Sequence, residues 1–437
     1  MDKPTQRTEP SSAYLRYVLG VMALISALNM ADRQVVSILI EPIKSDLGLS
    51  DTQMGMLTGL AFALFHAVAA IPIALWADRS IRRTILAVGV GAWSALTMAT
   101  GLTSSFASMF AIRIGVGVGE GTGGPPAHSL VSDYFPPHRR SSALAVLIVG
   151  APIGSMIAYG AGGWINEWLG WRAVVFLFGG VGLVVSPLIY FTIREPARGQ
   201  TEAGVIPTPP PKIRDGLRSL LSLRSYRQLL IASALNSAAT YTLLIWAAPF
   251  LMRVHHMGTG AAGTYLAFGF SAANIFGILL GGSLTDRFVR RDLRWLLWAP
   301  ALASAVVAPF AWGFLFFDDL VFAIPCLAAT GLLNAAYVAP VYAAGQNLST
   351  TGVRALASAV ITLGNTILGL GIGPVLVGWM NDFAFSVYGE AAIRYSLAVM
   401  LFGHVAAAAH LWLASRTYAE DTAANRGSAN DPAVLET

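Results

Sequence analysis

The decapeptide ALWADRSIRR, residues 74–83, closes an apolar run with one acid and three arginines, and it recurs as GSLTDRFVRR at 282–291. The pairing sets Asp78-Arg79 on Asp286-Arg287 and Arg82-Arg83 on Arg290-Arg291. A single copy reads as a positively charged turn beside a membrane. Two copies read as a duplication, and a second correspondence agrees with nearly the same offset: GGWINE at 162–167 against VGWMND at 377–382. The pattern predicts two homologous six-helix bundles.

Composition sets the solvent. Of 437 residues 55% are hydrophobic and 12% charged, against about 25% charged in a soluble domain, so this is an all-α membrane protein. A bilayer core takes about 20 apolar residues per helix. Such stretches lie at 15–40, 53–76, 84–104, 106–134, 141–165 and 171–193, then at 228–252, 260–284, 294–316, 320–346, 355–380 and 393–414. Twelve transmembrane helices in two pseudo-symmetric bundles follow, with residues 1–195 and 225–418 as the halves. Residues 196–224 form a cytoplasmic linker with a Pro-rich run and an amphipathic surface segment, and 419–437 a disordered cytoplasmic tail. With the N-terminus inside, 22 of the 28 Lys and Arg fall on the inner side and only Lys44, Arg172, Arg253 and Arg394 outside. That bias places both termini in the cytoplasm of a cell with the chain in its inner membrane.

The single cysteine, Cys326, excludes an intrachain disulfide or multi-Cys metal site. The net charge of +5 is explained by topology, so no nucleic-acid partner is expected. The first apolar run is too long for a removable signal peptide and reads as the first span. No Ser/His/Asp order, metal-ligand spacing or phosphate loop stands out; neither enzyme activity nor a cofactor is expected.

Charges at membrane depth cost about 2.5–3.5 kcal/mol each on insertion scales and need a partner or a wet cavity. Four stand out: Asp32 and Arg33 in NMADRQ (29–34) of span one, and Arg113 and Glu120 in span four. Arg113 and Glu120 are about two turns apart on one helix side, and Asn29 shares the face of Asp32. Two readings are open. Asp32 with Arg113, or Arg33 with Glu120, can clip helices in register. Alternatively Arg33 and Arg113 hold an anionic headgroup by guanidinium forks, while Asp32 and Glu120 carry a coupling proton. Burial disfavours a charged carboxylate and a neighbouring arginine favours it, so a substrate that engages the arginine leaves the acid to take up a proton.

Weaker signals surround these. His66 in span two is either an interhelical hydrogen-bonding residue or a proton relay. Asn236, Thr240 and Tyr241 share one uncharged face of span seven, fitted to substrate contact or to interhelical bonding. Gly115, Gly117, Gly119, Gly121, Gly123 and Gly124 crowd span four around Glu120, where small residues allow close approach or bending. Their G-x-G-x-x-G match has no preceding strand and is no nucleotide loop.

The decapeptide and its copy resemble the loop signature G-x-L-x-D-R-x-G-R-R of the major facilitator superfamily, over nearly the whole chain. Ala74, Trp76 and Ile81 depart from it in the first copy and Val289 in the second, while Gly282 and Leu284 are retained. NMADRQ and RIGVGVGEGTGGPPAHSLVSDYFPPHRRSSALA further resemble the Spinster-like branch. That resemblance implies a proton-linked, alternating-access carrier of amphipathic anions such as lysophospholipids or sphingolipid-like molecules, acting as a monomer in the bilayer. Alternatives are a small organic anion:proton symporter, a ligand-sensing receptor that does not transport, and a lipid scramblase. GAPIGSMIAYGAGG in span five partly resembles the antiporter signature, with its Gly-Pro order altered. The resemblance also implies a cytoplasmic gate of Asp78, Arg79, Arg82, Arg83, Asp133, Asp286 and Arg287; positive-inside anchoring accounts for the same residues without a gate.

Overall fold

The computed structural model describes residues 11–198 and 213–429, and every regular element among them is helical. Span one is α1 (Ser12–Ile38), opened by Ser11, whose hydroxyl accepts from Tyr14 N at 3.2 Å. A short α2 (Ile40–Leu47) turns at Gly48 into span two, built of α3 (Asp51–Gly55), a π-helical segment (Met56–Leu60) and α4 (Ala61–Arg79). Ser50 and Gln53 form a capping box at its start. Next come α5 (Arg82–Thr100), α6 (Phe106–Glu120), α7 (Gly124–Tyr134), α8 (Pro137–Leu169) and α9 (Trp171–Thr192).

The second half repeats the plan. After a surface helix, α10 (Ile213–Ser222), stand α11 (Arg224–Val254), α12 (Thr259–Tyr265), α13 (Ala272–Val289), α14 (Trp295–Phe316) and α15 (Leu320–Asn347). The chain ends with α16 (Arg354–Gly364), α17 (Gly373–Tyr388) and α18 (Ala392–Ala429). π-helical turns at Leu266–Ser271 and Asn365–Ile372 join α12 to α13 and α16 to α17. Such turns favour functional positions, and those of spans two and eight are pseudo-equivalent.

Among the described residues nine stretches are long and apolar enough to cross a membrane, the last of them 70 residues long, Arg354–Ala423. That stretch holds two passes, α16–α17 and α18. The charged or broken α5 and α6–α7 supply the other two, completing the twelve spans. Arg82 and Arg83 set α5 apart, and the break after Glu120 sets α6–α7 apart, leaving helices of 15 and 11 residues.

Three expectations are corrected. Span four is not one helix over 106–134: it breaks into turns between Glu120 and Gly124, since three glycines and then Pro125-Pro126 offer neither helix propensity nor the amide donors to continue. The tail is ordered further than 418: α18 continues to Ala429, with Thr422 buried and Asp421 Oδ2 accepting from Ser225 N at 2.8 Å and Ser225 Oγ at 2.6 Å. The amphipathic segment α10 turns Gly216 and Leu220 onto Val353 and Leu356. It is therefore a strap under the second half as well as a surface helix. The Pro run of the linker and residues 430–437 lie outside the described residues.

One apolar core, including Ile38, Val35, Tyr159, Trp246, Phe250 and Leu401, runs through both halves. The described hydrogen bonds and ion pairs between halves gather on the face opposite the chain ends, here called the distal face. Arg253 at the end of α11 bonds Glu41 Oε1 (2.6 Å) and Asp51 Oδ2 (2.5 Å), and Lys44 bonds Asp51 Oδ1 (2.5 Å). Near midplane Tyr159 Oη donates to Leu244 O at 2.7 Å and lies 3.0 Å from Gln34 Oε1. This face is closed.

Candidate functional site

The site is assembled where α1, α4, α5 and α6 meet. Arg33 Nε donates to Glu120 Oε2 at 2.7 Å; the Glu120 side chain is fully buried and that of Arg33 retains 17% exposure. Glu120 closes α6 at the break in span four. Its Oε1 has no hydrogen-bond partner among the described atoms. Of the two pairings open from the sequence, Arg33 with Glu120 forms the ion pair.

Arg113, buried, donates Nε to Leu57 O at 3.3 Å, a carbonyl in the π-helical segment of span two. Both guanidinium groups lie within cation–π distance of the ring of Phe62, at 4.8 Å from its centroid for Arg33 and 5.3 Å for Arg113. Asp32 is buried beside Trp93 and Thr97 of α5, within the field of Glu120 and Arg113. The four charges predicted from spans one and four are thus brought into one cluster of two acids and two bases. His66 stacks on Phe62 (5.3 Å between centroids), and its Nδ1 lies 3.2 Å from Gly117 O. The glycines account for that contact: a Cβ at Gly117 would stand 2.6 Å from Phe62 O.

Toward the face of the chain ends, a cavity of about 120 Å³ is lined by Met22, Ile25, Asn29, Ala127, His128 and Leu147 among others. The lining mixes the apolar side chains of Met22, Ile25, Ala127 and Leu147 with the hydroxyl of Ser26, the amide of Asn29 and the imidazole of His128. Asn29 links it to the charge cluster, lying next to Glu120.

The second half differs. Asn236 Oδ1 accepts from Ser304 Oγ at 3.2 Å and lies 2.9 Å from His404 Nδ1, while Thr240 Oγ1 donates to Asn334 Oδ1 at 3.0 Å. These two side chains turn into their own bundle; Tyr241 is partly buried against the apolar core. His404, fully buried with Nε2 unpartnered, was missed from the sequence. A signal existed: SALN occurs at 26–29 and again at 233–236, making Asn29 and Asn236 counterparts and setting Ala239-Thr240 where the first half has Asp32-Arg33.

At the face of the chain ends Arg82, buried, donates to Glu195 Oε1 and Ser129 Oγ at 2.8 Å each, to Pro196 O at 3.1 Å, and pairs with Asp133. The Arg83 amide also bonds Glu195, at 3.0 Å. These partners belong to the first half and to Pro196 at the start of the linker, so the cluster ties spans three, four and the end of span six together. Arg79 and Arg287 are exposed; the side chains of Asp78 and Asp286 lie outside the described ones.

Comparison with known proteins agrees with this architecture. An "MFS-type efflux pump" of Mycolicibacterium smegmatis is 33% identical over 404 residues, 92% of this chain and 93% of that protein. A "D-galactonate transporter" of Escherichia coli is 25% identical, covering 92% and 96%. The solved structure of a bacterial homologue of the human lysosomal transporter Spinster, inward-facing and unoccupied, superposes with a TM-score of 0.84 at 29% identity, over 94% of this chain and 99% of that one. The family model of the Major Facilitator Superfamily matches residues 22–374. With twelve spans in two like halves and a match of that length, this chain belongs to the Major Facilitator Superfamily.

Proposed function

We propose that this chain is a proton-linked carrier of an amphipathic organic anion, of the lysophospholipid or sphingolipid-like kind, working by alternating access. One observation carries the reading: the Arg33–Glu120 pair, partly exposed on the arginine side and dry on the acid side, adjoins through Asn29 a cavity whose lining mixes apolar and polar side chains. Arg33 retains enough exposure to meet a phosphate or carboxylate in bidentate fashion. Once it does, Glu120 is left buried without its cation, and a buried carboxylate in that position holds a proton instead of a charge. Arg113, held against the Phe62 ring and by Leu57 O, keeps a positive field behind the headgroup. Asp32 is the second acid of the cluster and shares the proton. The apolar tail lies along Met22, Ile25 and Leu147. The resident lipid bilayer is the source and sink of such a tail; the carrier works as a monomer in the inner membrane with both termini in the cytoplasm.

The test is uptake by proteoliposomes of radiolabelled lysophospholipids, sphingosine phosphate and galactonate, with and without an imposed pH difference. Accumulation driven by the gradient, lost in Glu120→Gln and in Arg33→Ala, supports the reading. Gradient-driven flux that survives both variants removes it. The galactonate arm addresses a second reading, a small organic anion:proton symporter, which the similarity to a D-galactonate transporter favours. Flux without any gradient indicates a scramblase, and binding without flux a receptor.

A further inference from the structure

The repeated hexapeptides GGWINE and VGWMND do the same thing in the two halves, each to the other half. In the first, Gly163 of α8 packs on Thr259 O, Asn166 Nδ2 donates to Thr259 Oγ1 at 3.0 Å, and Glu167 Oε2 accepts from Gly260 N at 2.8 Å. In the second, Gly378 of α17 packs on Asp51 O, Asn381 Nδ2 donates to Asp51 Oδ2 at 2.9 Å, and Asp382 Oδ2 accepts from Thr52 N at 2.8 Å. Asp382 Oδ1 also accepts from Asp51 N at 3.0 Å. Thr259-Gly260 and Asp51-Thr52 open the spans Thr259–Gly281 and Asp51–Ala77.

Each glycine, asparagine and acid thus addresses the same three groups at the start of a span in the opposite half. We infer that this Gly-Trp-x-Asn-acid element is the latch of the distal gate, present twice and engaged twice in the closed state. The physical case has three parts. A Cβ at either glycine would collide with the facing carbonyl, so only glycine permits the approach. The carboxylate completes hydrogen bonds for amides that have no partner within their own helix and complements the positive end of that helix. Both contacts cross the plane along which the halves must rock apart.

The copies are unequal. Asp51 is also held by Arg253 and Lys44, whereas Thr259 carries no charge and is backed by Trp164 Nε1 donating to Thr264 Oγ1 at 3.0 Å. Opening therefore begins at the contact of α8 with α12, and the contact of α17 with α3 releases last. The inference rests on the alternating-access reading, and its test needs no substrate.

In a Cys326→Ser background, a Ser26→Cys reporter in the cavity is labelled with a membrane-impermeant maleimide on vesicles of either orientation. In the parent, labelling from the face of the chain ends dominates. Glu167→Ala, Asp382→Ala and their combination each raise labelling from the distal face, the double variant by about tenfold or more, since charge-assisted hydrogen bonds are lost at both contacts. Labelling from the other face falls in step. Glu167→Asp and Asp382→Glu stay near the parent. A double variant that elutes as a monodisperse peak and labels from the terminal face like the parent, with no distal gain, overturns the latch. So does simultaneous labelling from both faces, which reports leakage. Absence of gradient-driven flux in the parent, with the gating shift present in the variants, counts against the transport reading and leaves the latch standing.

Discussion

The Arg33–Glu120 pair makes a prediction about stability as well as transport. Replacing Arg33 by Leu leaves Glu120, fully buried, with no cation within bonding distance. Breaking a buried pair from one side costs about 3–5 kcal/mol when the remaining charge must persist; a proton on Glu120 limits the loss, so about 2–3 kcal/mol is expected at neutral pH. Replacing Glu120 by Gln leaves Arg33 with 17% exposure and its place over Phe62. That cation–π contact retains about 0.5–2 kcal/mol, and the expected cost is about 1–2 kcal/mol. The double variant removes both charges, and well-packed neutral replacements of buried pairs are often neutral or stabilising. It is expected within about 1 kcal/mol of the parent by the same reasoning. The cycle therefore carries an interaction energy of about 3–5 kcal/mol for a double variant as stable as the parent, read from SDS titration of purified protein in mixed micelles. Single effects that simply add in the double variant would show that the two groups do not share one buried pair, and the competition between proton and substrate would lose its basis.

Other outcomes follow from the same geometry. Arg82→Leu removes the guanidinium that Asp133 and Glu195 share, while the Arg83 amide still bonds Glu195, and the two acid side chains retain 11% and 25% exposure; a loss of about 1–3 kcal/mol is expected, below the roughly 3–5 of a fully dry pair broken from one side, and SDS titration measures it. Because no described partner of Arg82 lies in the second half, distal labelling of the Ser26→Cys reporter stays unchanged in that variant, and a large shift would mean the cluster acts across halves. Gly263→Val drives a side chain into Tyr159 O and wedges the seam of α8 and α12; distal labelling rises with stability little changed, and no rise speaks against this seam as the first to open. Asn236→Leu leaves Ser304 Oγ and His404 Nδ1 without their shared acceptor, costing about 1–3 kcal/mol, with substrate affinity unaffected. Equal loss of affinity in Asn236→Leu and Asn29→Leu would place the second-half asparagine at the substrate after all.

Much of this molecule was legible in one dimension. Hydropathy located the twelve spans, and the duplicated loops at 74–83 and 282–291 established two halves, because membrane insertion acts on local composition and a duplication leaves local traces. The cost of a charge in hydrocarbon is also local. It singled out Asp32, Arg33, Arg113 and Glu120 before any contact was known, and the structure gathers those four.

What the chain alone did not disclose depends on which side chain meets which across helices. A separation of seven positions put Arg113 and Glu120 on one side of a helix, yet the choice of Glu120 for Arg33 depends on the break at residues 121–123 and on Phe62, whose ring both arginines approach. Asn236, read as a cavity wall, turns inward because His404 and Ser304, distant in sequence, offer partners there. GGWINE and VGWMND were visible as a repeat, but their meaning arises only when each half is docked on the other. Solvent preference is written residue by residue, so the sequence determined the spans, the duplication and the charged positions; pairing and packing are properties of surfaces that exist only after the helices have come together, so the tertiary structure alone decided the ion pair, the seam and the closed face.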